Sequence, residues 1–173
     1  SGYFFKFTSF DQSPHVKASL NYEHSGRKMM EDKIRRGKTD QKSLSVPLML
    51  LRQARILDFL RSHEAVDRLE DLAKKDGDTV AVMGAGHLAV MRDYVREKQP
   101  ENVAYHFVLP NNSGRVKWKL PYKEVFIVKI PTKNEKGEES TIMTGFKTSK
   151  PTETELKKAR GIVEEYRKLL KKE

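Results

Sequence analysis

Residues 124–130, EVFIVKI, and 139–147, ESTIMTGFK, stand on either side of a turn formed by Asn134 through Gly137. Both runs are rich in β-favouring residues, and the segment between them is polar and ends in glycine. That combination predicts two antiparallel strands. Upstream, residues 103–109 (VAYHFVL) and 115–119 read as further strands, separated by the turn Asn111-Asn112-Ser113-Gly114. The order of short strands and turns predicts an antiparallel meander. Residues 3–10 (YFFKFTSF) predict one more strand, and 79–83 (TVAVM) a short apolar one.

The rest of the chain reads as helix and loop. Residues 11–26 are polar and interrupted by Pro14 and Gly26, which suggests a loop. Segment 27–42 is mostly charged; it forms either a short helix over 28–36, ended by Gly37, or a mobile arm that orders on a ligand. A helix over 43–60 starts at Ser45 with Pro47 in its first turn. Ser62 then offers a cap for a second helix ending at Lys74-Lys75-Asp76-Gly77. A helix over 87–98 stops before Pro100. The final helix, 153–171, opens on Thr152 and Glu155 at capping-box spacing. The expectation is a single α+β domain spanning 1–173: an antiparallel β-sheet packed against several α-helices, with one face of the sheet basic.

Charge narrows the choice of partner. The 173 residues hold 34 Lys and Arg against 24 Asp and Glu, a net charge of +10. This balance favours polyanions, with nucleic acid first and RNA favoured over DNA. Cysteine is absent, which excludes disulfides, thiol nucleophiles and cysteine-based metal sites. No run of about 20 apolar residues is present, so no transmembrane segment is expected and a cytoplasmic location is. Neither a metal nor a cofactor is implied. Gly84, Gly86 and Ala89 match a dinucleotide-loop spacing, but no repeated strand–helix–strand unit surrounds them, so they read as a tight turn starting a helix.

Arg115, Lys117 and Lys119 alternate, as they would on one sheet face, and Lys123, Lys129 and Lys147 add charge nearby. Together with Arg27, Lys28, Arg35 and Arg36 they are the candidate phosphate contacts. His106, between Tyr105 and Phe107, is the candidate general acid or base; the alternative is a hydrogen-bonded, partly buried histidine. His87, in the first turn of its helix, is the reserve base. Thr144 either contacts a phosphate or simply suits a strand. His15 and His63 have no context that raises them above surface residues.

The stretch from Leu88 to Lys147 resembles the nuclease superfamily of barnase, EndA, the colicin E5 and colicin D domains and the RelE toxins. The likeness rests on the helix ending at Pro100, the strand from Val103, the region Trp118–Tyr122, the strand 125–130 and the Ile142, Thr144, Phe146 pattern of the last strand. It implies a metal-independent endoribonuclease or RNA-processing protein of toxin, phage or mobile-element type. In that pattern Thr144 holds a functional position, and Lys117, Lys119 and Lys147 hold phosphate. A non-catalytic RNA- or DNA-binding accessory protein, and a basic adaptor binding an acidic protein, are the alternatives; a cognate inhibitor or other protein is a further candidate partner.

Overall fold

The computed structural model describes residues 13–108, 125–133 and 136–171. The predicted strands 3–10 and 115–119 lie outside them. The described residues form an α+β fold of four helices and one antiparallel hairpin, in the order α1 (Pro14–Arg35), α2 (Gln41–Asp76), α3 (Ala85–Lys98), β1 (Val125–Lys133), β2 (Glu139–Lys147) and α4 (Glu153–Leu170).

The stretch expected to be a loop is instead the first half of α1. Pro14 occupies its first turn, where a missing N–H costs nothing, and the Ser13 hydroxyl accepts from Val16 N at 3.3 Å. Gly26 does not break the helix. A Cβ there would lie 2.9 Å from Leu51 Cγ and 3.1 Å from the Pro47 carbonyl oxygen, so glycine lets α1 approach α2 closely. Segment 27–36 continues α1. The helix then stops at Gly37, whose φ of +70° suits the left-handed position after a helix, while Lys38 N donates back to Lys33 O.

The predicted pair of helices after residue 43 is one continuous helix of 36 residues, about 54 Å long. Its N-cap is Asp40, which accepts from Ser43 N at 2.9 Å, not Ser45. Ser62 does not start a new helix because its hydroxyl is turned inward and donates to Asp58 O, one turn back. Segments 79–83 and 103–108, both expected as strands, adopt no regular structure, and Val80 and Val82 stay exposed. A strand needs a pairing neighbour, and the described sheet contains only β1 and β2.

Two cores organise the described residues. The larger joins all four helices through Ala18, Ile56, Leu57, Leu60, Val90, Leu156, Ala159 and Val163. Thr152 and Glu155 form the predicted capping box of α4, and Glu155 also receives Arg52 at 2.8 and 3.1 Å, tying α4 to α2. The second core packs the hairpin's inner face, Val128 and Ile130, against Met30 and Ile34 of α1 and Leu44 and Leu51 of α2. Burying each of those two strand side chains contributes about 1.5–3 kcal/mol. No helix among the described residues is long and apolar enough to cross a membrane.

Candidate nucleic-acid interface

The second core determines which basic residues share a region of the molecule. It clamps the hairpin to the end where α1 turns into α2. That turn carries Arg35, Arg36, Lys38 and Lys42, all exposed, with Arg27 and Lys28 about two turns earlier on α1. The hairpin brings Lys129, Lys133 and Lys147, also exposed. Two segments about 100 residues apart in sequence thus form one basic end. Arg27 is held by Glu23 through contacts of 3.0 and 2.9 Å, and Arg35 lies 3.8 Å from Asp32. Arg115, Lys117, Lys119 and Lys123 lie outside the described residues.

Strand register sorts the hairpin residues into two faces. Lys129 pairs with Met143, Val125 with Lys147, and Lys133 with Glu139. Because buried Val128 and Ile130 alternate with these positions, Lys129, Lys133 and Lys147 all lie on the outer face. Thr144 pairs with Val128 and so shares the inner face. It is half-buried toward the second core, on the face opposite Lys147.

Among the described residues, the three candidate catalytic side chains do not gather beside Lys129 and Lys147. His87 folds back onto α2, with its Nδ1 2.9 Å from Ser62 Oγ. Since the Ser62 hydroxyl donates to Asp58 O, the ring donates from Nδ1–H and leaves Nε2 as its acceptor. Burial, and secondly the charge of Arg61, push His87 below the usual histidine range. Ser62 stands eleven residues beyond Leu51, about 16 Å along the helix axis from the hairpin core. His106 is exposed, while its neighbours Tyr105 and Phe107 turn inward and stack at 6.2 Å; Tyr105 donates to Val66 O at 3.4 Å.

His63, which its sequence context did not distinguish, is the most perturbed histidine. Its ring stacks on Tyr94 at 3.9 Å with planes 13° apart, and leans on Phe59 at 4.3 Å. Burial drives its pKa down to about 4, so it is neutral at pH 7. Together with Asp67, Glu97, Lys150 and Arg160 it lines a cavity of about 370 Å3 between α2, α3 and α4. Nearby, Lys98 bridges Asp67 at 2.8 Å and Glu70 at 2.5 Å, and Tyr94 donates to Asp67 at 3.1 Å. The bonds to Asp67 and then Glu70 hold the Lys98 ammonium well above its ordinary pKa. Of the charges lining this cavity, Asp67 joins α2 to α3 through Lys98 and Tyr94, Lys150 pairs with Glu97 of α3, and Glu64 pairs with His15 of α1. The i, i+4 spacing of Phe59 and His63 was visible in the sequence, but Tyr94, 31 residues away, was not. No cluster of three or more histidine or carboxylate side chains able to hold a metal occurs among the described residues.

No protein-family model matches the chain, and neither the curated proteins nor the solved structures contain a match.

Proposed function

We propose that the protein binds nucleic acid without cleaving it, through the basic end where the α1–α2 turn meets the hairpin. The observation that carries this reading is the second core, which unites Arg35, Arg36, Lys38 and Lys42 with Lys129, Lys133 and Lys147. Cations spread over two rigid elements suit a phosphate backbone, where contacts position the protein and need no catalytic group. The net charge of +10 supports the same partner.

The ribonuclease reading asks for a proton donor and acceptor within hydrogen-bond reach of one phosphate. Thr144 turns toward the core, His87 is engaged by Ser62 some 16 Å along α2 from the hairpin core, and His106 is not on the hairpin. This separation favours binding over cleavage. Incubating the protein in EDTA with labelled transfer RNA, single-stranded RNA and duplex DNA tests both readings, with retardation and cleavage scored on one gel. Retardation of intact nucleic acid is the expected result. EDTA-resistant cleavage abolished by His106→Ala would replace the proposal with the enzyme.

A further inference from the structure

The outer face of the hairpin carries more than charge. Ile127 is 55% exposed and Met143 66% exposed. The solvent face of a two-stranded ribbon is ordinarily polar, so two large apolar side chains there stand out. Register makes them diagonal neighbours. Ile127 pairs with Gly145, whose missing side chain leaves the flank open, and Met143 is two residues before Gly145 on β2. Lys129 lies directly across from Met143, Lys147 follows Gly145 on the same face, and Lys133, across from Glu139, stands beyond Pro131 at the far end. The arrangement is a narrow apolar ridge bordered by ammonium groups.

We propose that this ridge docks in the major groove of duplex DNA, with Ile127 and Met143 against thymine methyl groups and Lys129, Lys133 and Lys147 on the flanking phosphates. The inference rests on the nucleic-acid reading above and names its substrate. Two strands about 4.8 Å apart, with their side chains, fit the major groove of B-form DNA, which is about 12 Å wide and admits a two-stranded ribbon. The deep, narrow major groove of A-form RNA does not admit one. Thymine is the base that offers an apolar group there, its C5 methyl, and an isoleucine–methionine ridge complements it. The lysines supply the charge complementarity, and the core behind Val128 and Ile130 keeps the ribbon rigid. This shifts the preferred partner from RNA to duplex DNA.

The test is competition binding at fixed salt among three duplexes of one A·T-rich sequence: DNA, DNA with uracil in place of thymine, and RNA. The DNA duplex is expected to bind best, and removal of the methyl groups to weaken it about five- to tenfold. Ile127→Asn/Met143→Gln should abolish the difference between the thymine and uracil duplexes, with an unchanged melting temperature showing that the fold is intact. Equal affinity for RNA and DNA duplexes overturns the groove assignment, and equal affinity for thymine and uracil duplexes overturns the methyl contact. If no duplex or single strand binds even at low salt, the nucleic-acid reading itself falls.

Discussion

Replacing Gly26 with alanine sets two opposed effects against each other at the α1–α2 crossing. In an isolated helix the change stabilises by about 1 kcal/mol, because glycine is the costlier residue in a helix interior. Here the added Cβ would meet Leu51 Cγ at 2.9 Å, Leu51 Cδ2 at 3.1 Å and the Pro47 carbonyl oxygen at 3.1 Å. Leu51 is 1% exposed and packed in the second core, and the Pro47 oxygen is backbone, so neither yields cheaply. Overpacking of this kind costs about 1–3 kcal/mol. The balance is a destabilisation of about 1 kcal/mol, which lowers the melting temperature by about 2–4 °C in a chain of this size. Gly161→Ala is the internal control. It lies in α4 with nothing within 4 Å of the new Cβ, so only the helix-propensity effect remains and stability should rise by about 1 kcal/mol. Thermal and urea unfolding of both variants measure the contrast. If Gly26→Ala stabilises as much as Gly161→Ala, the close approach of α1 and α2 is refuted.

Three further outcomes follow from the same contacts. The His63 pKa is depressed below that of an unfolded histidine, so between about pH 6.5 and 4 the unfolded chain binds the extra proton and stability falls as pH drops; His63→Phe, which keeps the stack on Tyr94, should flatten thermal stability between pH 7 and pH 5 relative to the wild type. Ser62→Ala removes the hydroxyl shared by Asp58 O and His87, and should cost about 1 kcal/mol in urea unfolding while moving the His87 titration observed by NMR. Arg52→Ala leaves Glu155 without the guanidinium that chiefly depresses its pKa, so the variant should be less stable by about 0.5–1 kcal/mol at pH 7. That stabilising contribution exists above the unfolded carboxylate pKa and is lost as pH falls through the depressed Glu155 titration, so the two unfolding curves should converge in acid.

Local signals in the chain reported local structure well. The hairpin, the Thr152–Glu155 capping box, Gly77 after α2 and the helix before Pro100 were all legible, because each depends on residues a few positions apart. The errors arose where a partner distant in sequence decides the outcome. Gly26 reads as a breaker until Leu51 and Pro47 are placed against it. Ser62 reads as a cap until its hydroxyl is seen bonding Asp58 O and His87. Segment 79–83 has strand-like composition but no strand beside it among the described residues. In the site, the strand register separates Lys129 and Lys147 from the hairpin's buried positions, whereas the alternating Arg115, Lys117 and Lys119 lie outside the described residues. The same parity argument places Thr144 inward, against the role suggested by the last-strand pattern. The meeting of segment 27–42 with the hairpin depends on Met30, Ile34 and Leu44 packing on Val128 and Ile130, a tertiary contact that no spacing rule contains.

The most direct test of the basic end is the salt dependence of binding to a labelled DNA duplex, measured for the wild type, Arg35→Ala/Arg36→Ala, Lys129→Ala/Lys147→Ala and the fourfold variant. Each lost phosphate contact should reduce the slope of log K against log salt by about 0.9. The account predicts that both double variants lower the slope and that the fourfold variant lowers it by the sum. A slope unchanged by either pair, in proteins that melt like the wild type, would contradict a single interface built from the α1–α2 turn and the hairpin.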